Sequence, residues 1–206
     1  MGQRQIYQKS LISRFYWNFR DKAILSHLRG EKIIDLGCGE GLTLEKIIAH
    51  LRGGTDTTPR VKIIGIDRDP QKIKVCKKHH LPVKTGDITH LPFPKNSFDC
   101  AVLAEVIEHL KENEVKKALG EIYRILKPAG RLIVVFPNDR NFKIARIFCL
   151  KFKEAFADYG HLRQWHPKKD LNFFRQAGFS LVSQQSIPFF FWPVSLHHIL
   201  VLEKPK

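Results

Sequence analysis

Apolar positions along the chain alternate between two periods, and the alternation predicts the elements. Over residues 9–28, Leu11, Ile12, Phe15, Tyr16, Phe19, Ala23, Ile24 and Leu28 recur at helical spacing, which predicts one or two amphipathic helices. Short β-branched runs then alternate with helical patterns. Strands are expected at Lys32–Leu36, Val61–Ile66, Pro82–Thr85, Phe98–Leu103 and Arg131–Phe136. Helices are expected at Leu42–Leu51, at Pro70–His79 with Asp69 as N-cap and Pro70 at its first position, and at Val106–Leu126. The composition of Gly53–Pro59 predicts a loop.

After Pro137 the rhythm changes. Residues 139–166 are basic and aromatic with no clear strand, Lys168–Ala177 returns to a helix stopped by Gly178, and Phe179–Ile187 with Val194–Glu203 predict a closing antiparallel hairpin. Strands separated by helices define an α/β fold: one doubly wound, mostly parallel sheet of seven strands, with helices on both faces. The expected organisation of 1–206 is a single domain. It comprises N-terminal helices (1–29), a ligand-binding core (30–137), a lid or acceptor insertion (138–166) and a closing helix with edge strands (167–206).

Charge adds one constraint. The 206 residues carry 35 Lys+Arg against 20 Asp+Glu, a net +15, which favours anionic partners, RNA among them. Cys38, Cys76, Cys100 and Cys149 form no CxxC pair and read as reduced thiols of a cytoplasmic protein. Met1-Gly2 lacks the Ser or Thr that myristoylation needs at position 6, and the apolar stretch Ile187–Leu196 is broken by Pro188 and Pro193, so no transmembrane segment is expected.

The chemistry concentrates at Asp35-Leu-Gly-Cys-Gly-Glu-Gly41. The expected first strand ends there in a glycine loop, and a helix opens just beyond. The second strand closes on Asp67. Strand, glycine loop, helix, strand and acid together hold an adenosine-containing cofactor, the acid bonding the ribose hydroxyls. The loop is Gly37-x-Gly39-x-Gly41 rather than GxGxxG, and Glu40 within it would repel a pyrophosphate but not a cationic methionyl group. Asp87, after the third strand, can accept a bond from an adenine amine while the next backbone N–H donates to the ring.

With Gly65-Ile-Asp67, Gly86-Asp87-Ile88, Leu91–Asp99, Glu105-Val-Ile-Glu-His109 and Leu126-Lys-Pro-Ala-Gly130, the chain resembles the class I S-adenosylmethionine-dependent methyltransferases, most strongly over residues 30–137. The resemblance implies S-adenosylmethionine as cofactor and Asp35, Gly37, Cys38, Gly39, Asp67, Arg68, Asp87, Ile88 and Ala104 as its binding residues. The loop would contact the methionyl part, Asp67 the ribose diol, and Asp87 with Ile88 the adenine; the backbone at Ala104 would face the methionyl amine, which Asp35 reaches through water.

The Glu-x-x-Glu-His run also occurs in ubiquinone-type O-methyltransferases and small-RNA 2′-O-methyltransferases. There it resembles a metal site completed by another residue, which makes Glu105, Glu108, His109 and His161 candidate ligands of a divalent cation. On one helix Glu105, Glu108 and His109 would share a face. The candidates for touching the acceptor are His109 and His161, and Asp99 reads as structural. The expected reaction is methyl transfer by in-line displacement to a small aromatic or lipid-like acceptor, a hydroxyl first. RNA is the alternative acceptor, and a non-catalytic cofactor-binding module is the alternative class. Within residues 139–166 the aromatics Phe142, Phe148, Phe152, Phe156, Tyr159 and Trp165 alternate with basic residues; spacing such as Phe148–Phe152–Phe156 reads first as a helix packing one apolar stripe on the core, and alternatively as a lid giving aromatic walls to the acceptor. The lysines at 72, 74, 77, 78 and 84 are expected to be solvated, and His197–His198 to sit on an edge strand.

Overall fold

Short β-branched runs cannot satisfy their backbone alone, and here they pair into one sheet. The computed structural model describes residues 11–52, 61–141, 144, 160–187 and 195–206. Helix α1 (Leu11–Leu25) leads into β1 (Lys32–Leu36), α2 (Leu42–Arg52), β2 (Lys62–Asp67), α3 (Pro70–Lys78), β3 (Val83–Thr85) and β4 (Phe98–Ala104). A 3-10 turn over Ile107–His109 precedes α4 (Glu112–Ile125), β5 (Leu126–Pro137), α5 (Leu171–Gln176), β6 (Ser180–Ile187) and β7 (His197–Glu203). The seven strands run in the order β3-β2-β1-β4-β5-β7-β6. β1 to β5 pair in parallel, and β7 enters antiparallel against both β5 and β6.

Both faces of the sheet are covered, so its central strands are apolar on both sides. Neighbouring residues of one strand point to opposite cores. Ile34 and Leu36 pack with Leu119, Ile122, Phe136 and Phe174, while Ile33 packs with Ile24, Ile47, Val102 and Ile199. Strand order reverses between β1 and β4. Their carboxyl ends therefore diverge and open the crevice where doubly wound sheets bind ligands.

Several expectations hold locally. Asp69 caps α3, its side chain accepting from Gln71 N–H at 2.8 Å, with Pro70 in the first turn. Asp99 is structural: it accepts from the amides of Glu31 and Lys32 at the start of β1 and pairs with Lys127.

Four expectations are corrected. The helix expected over Val106–Leu126 is a 3-10 turn followed by an extended Leu110 and a separate α4, whose start is set by Lys111: its backbone is extended and its N–H donates to the Glu114 carboxylate at 2.8 Å. The closing helix is shorter than Lys168–Ala177, spanning Leu171–Gln176. β7 is interior to the sheet, so His197 and His198 are fully buried rather than on an edge. Trp165 is a core residue, 1% exposed, and not an acceptor wall; its indole N–H donates to the Ile107 carbonyl at 3.2 Å, which allows the ring to be buried. The Gly53–Pro59 loop, Cys149 and the aromatics at 142, 148, 152, 156 and 159 lie outside the described residues. Among the described residues no helix is long and apolar enough to cross a membrane.

Candidate active site

A cavity of about 790 Å³ opens at the carboxyl ends of β1, β2 and β4. Its lining includes Asp35, Gly37, Cys38, Gly39, Asp67, Arg68, Asp87, Ile88 and Ala104, the full set that the sequence brought forward for the cofactor.

Local geometry explains the grouping. Gly37 has φ +70°, and a Cβ there would lie 2.4 Å from a Val106 methyl, so no other residue lets the loop lie against β4. Gly39, at φ +56°, turns its amide onto Asp67, whose Oδ2 accepts it at 2.8 Å. Oδ1 of Asp67 accepts the Asp69 amide, also at 2.8 Å. Each oxygen keeps a lone pair for a ligand. At the far end Asp87 accepts both the backbone N–H and the hydroxyl of Thr89, bonds that hold its carboxyl below the usual range. Ile88 is buried beside it. Lys72, expected to be solvated, is half-buried on the cavity wall, while Lys74, Lys77, Lys78 and Lys84 are exposed.

Asp35 is 2% exposed, and its Oδ2 has no hydrogen-bond partner. Burial lifts its carboxyl to about 7, against the pull of Arg20. Arg20 has no counterpart in the sequence reading. It comes from α1, lies nearly buried over the Trp17 ring, and bonds Asp21 and the Thr43 hydroxyl at 2.7 and 2.9 Å. Only its position on an apolar face of α1 could have marked it.

The other end of the cavity is built from β4's exit and the segment before α5. The Nδ1–H of His109 donates to the Gly160 carbonyl at 3.0 Å, and the His109 and His161 rings stack edge to face at 4.9 Å. Burial lowers the His109 pKa, favouring the neutral ring. Nδ1 of His161 lies 2.8 Å from an Asp139 oxygen, which leaves Nε2 as the acceptor nitrogen of the neutral ring. Glu108 is 1% exposed, and neither of its carboxylate oxygens has a hydrogen-bond partner. Burial first, and the nearby Glu105 carboxylate second, raise its pKa well above the usual range. One ligand atom each of Glu108, His109 and His161 lies within 4.8 Å of the others.

Glu105 does not join that group. It lines the cavity but turns its Oε1 against Nε2 of His197 on β7. Burial drives the His197 pKa down to about 3, so the ring is neutral; the two atoms touch without hydrogen-bond geometry, and Oε1 has no hydrogen-bond partner among the described residues. His197 was passed over in sequence because β7 was drawn at the sheet edge.

Residues 34–134 match the family model described as a methyltransferase domain. With the fold and the loop-and-acid cavity, this makes the chain a member of the class I S-adenosylmethionine-dependent methyltransferases. A ubiquinone biosynthesis O-methyltransferase of Rhodopseudomonas palustris is 30% identical over 154 residues, 72% of this chain and 53% of that protein. A tRNA (carboxymethyluridine(34)-5-O)-methyltransferase of Arabidopsis thaliana is 32% identical over 106 residues, 51% of this chain and 24% of that protein. Among solved structures, a SAM-dependent methyltransferase of Thermotoga maritima, described as a possible histamine N-methyltransferase, has a TM-score of 0.70 at 22% identity, covering 93% of this chain and 90% of that one. The chain spans about half or less of the length of the curated relatives it matches.

The buried Asp35 carboxyl yields a stability prediction. Its folded-state pKa of about 7 exceeds the ordinary aspartate value of 3.8, so the folded protein binds the proton more tightly and loses stability as pH rises from about 4 through 7. Thermal melts of Asp35→Asn should therefore show a higher Tm than wild type at pH 8, with the gain vanishing near pH 4.

Proposed function

We propose that the protein transfers the methyl group of S-adenosylmethionine to a hydroxyl of a small aromatic or lipid-like acceptor. The observation that carries the donor half is the single cavity joining the Asp67-tied glycine loop, Asp87 and the unpartnered Asp35 oxygen. In this reading Asp67 accepts from the ribose hydroxyls with the lone pairs that the Gly39 and Asp69 amides leave. Asp87 accepts from the adenine amine, with Ile88 and Arg68 bordering the ring. Gly37, Cys38, Gly39 and the Ala104 backbone enclose the methionyl part. Asp35 balances its ammonium, and Arg20 is the cation suited to its carboxylate. Bound there, S-adenosylmethionine supplies an electrophilic methyl carbon. A reducing cytoplasm suits the buried cysteines Cys38, Cys76 and Cys100.

The acceptor half rests on the Asp139–His161 pair. Asp139 holds the imidazole in one tautomer, and Nε2 of His161 takes the hydroxyl proton as the new bond forms. Val106, Leu110 and Leu162 give that end of the cavity apolar walls. The likeness to a quinone-pathway O-methyltransferase supports a hydroxyl acceptor.

The buried, unpartnered Glu108 favours a second reading of the same corner. Glu108, His109 and His161 fit a divalent cation, since each Nδ1 is already engaged and the carboxylate lacks a counter-charge. Such an ion would supply Lewis acidity to ionise the acceptor hydroxyl. An RNA acceptor has separate support in the +15 charge, in Arg68 and Lys72 on the cavity wall, and in the likeness to a tRNA methyltransferase.

Calorimetry with S-adenosylmethionine should give saturable binding that Asp67→Ala weakens at least about tenfold; a wild type that binds none ends the enzyme reading and leaves at most an interaction module. Incubation with methyl-labelled donor and fractionated cell extract should label small molecules rather than RNA. With the labelled acceptor in hand, His161→Gln should lower kcat by about 100-fold or more and leave donor affinity unchanged. Titration with Mg²⁺, Mn²⁺ and Zn²⁺ should show one site that Glu108→Gln removes, and full activity after exhaustive chelation would dismiss the ion.

A further inference from the structure

Among the carboxylates facing the cavity, Glu105 has no part in the donor reading above. It lies one residue beyond Ala104, between the methionyl side, where Arg20 acts on it, and the side of His161 and Asp139. Its backbone is left-handed, φ +58°, a conformation that costs a glutamate about 1 kcal/mol or more. The strain keeps the side chain out of a helical row with Glu108 and brings it to His197. That histidine has no exposure and packs its ring 5.9 Å from Trp17. A neutral imidazole there has a specific consequence: by packing against the carboxylate it limits where the side chain can go, without cancelling its charge as a lysine or arginine would. Arg20 and His161 act on Glu105 only through space; their ion pairs are with Asp21 and Asp139.

S-adenosylmethionine and its demethylated product share adenine, ribose, ammonium and carboxylate. They differ in the sulfur, a sulfonium before transfer and a neutral thioether after it. Groups that read the shared parts bind both alike, so discrimination needs a charge near the sulfur. Resting on the donor reading given above, we propose that Glu105, positioned by His197, reads the charge on sulfur and makes the cavity prefer the methyl donor over the demethylated product. Loss of the positive charge on transfer removes this attraction and eases exchange of product for fresh donor. Opposite unit charges several ångströms apart in a partly buried site attract by a few kcal/mol at an effective dielectric near 20, before desolvation. A net effect of about tenfold in affinity is then reasonable.

The test is calorimetric binding of S-adenosylmethionine and of S-adenosylhomocysteine at pH 8, above the value of about 7 that burial gives the Glu105 carboxyl. Glu105→Gln, which keeps the shape, should weaken the donor about tenfold and leave the product within about twofold. Asp35→Asn should weaken both ligands together. His197→Ala, which removes the packing against Glu105, should lower the donor-to-product ratio, and His197→Leu, which refills the space, should recover part of it. Should His197→Ala fail to fold, Glu105→Gln decides alone. Equal loss of both ligands in Glu105→Gln, or loss of neither, overturns the proposal while leaving the donor site intact. A wild type that binds neither ligand overturns the donor site itself.

Discussion

The hydrogen bond from the Gly39 amide to the Asp67 carboxylate is the joint on which the cavity depends. It ties the loop leaving β1 to the end of β2, adding to the strand ladder and to the bond from the Cys38 amide to the Ile66 carbonyl. A charged acceptor makes the bond stronger than a neutral one, on the order of 1.5–3 kcal/mol. The amide can reach it only with the backbone in the left-handed region. Positive φ at Gly37 and Gly39 and the acid at the end of β2 are therefore one device. The loop then sits where β1 and β4 part, and Gly37 packs so closely on Val106 that the exit of β4 is set by the same contact.

From that joint the site divides into two electrostatic regions. Toward the adenine end, Asp87 and Asp67 have their demands met by local amides and a hydroxyl, as ordinary surface or turn carboxylates do. Toward the other end, Asp35 and Glu108 are buried with oxygens left unsatisfied, and burial raises both of their pKa values. An unpartnered buried carboxylate is costly, and such groups persist where a ligand supplies the missing charge. Arg20 lies across these acids from α1, outside the repeating strand–helix pattern.

How much could be read beforehand follows from how local each determinant is. The glycine loop, Asp67, Asp87 and the Asp69 cap depend on chain within a few residues, and all lie where the pattern put them. The turn at Ile107–His109 was hidden because Ile107, Leu110, Val115 and Leu119 continue an apolar spacing compatible with one helix, with neither Gly nor Pro to interrupt it. The break lies at Leu110 and Lys111, both extended, where the Lys111 amide donates to Glu114 and opens a second helix. The basic neighbours of Trp165 left a lid wall open beside a core position; its burial depends on the carbonyl of Ile107 in another part of the chain. Arg20 bonds Asp21 beside it and Thr43 on α2, and His197, placed by its sequence on an edge strand, lies against Glu105; in both cases sequence distance conceals the tertiary encounter.

The antiparallel entry of β7 has a consequence for where this molecule can be trimmed or recombined. The stretch that matches the common family pattern stops at residue 134, yet one wall of the cavity is braced by a side chain on β7. A chimaera that kept only the shared pattern and borrowed its closing hairpin from a relative would inherit every motif and still lose the brace behind Glu105. Interchangeability in this fold therefore ends later than family likeness does, at the strand wedged between β5 and β6.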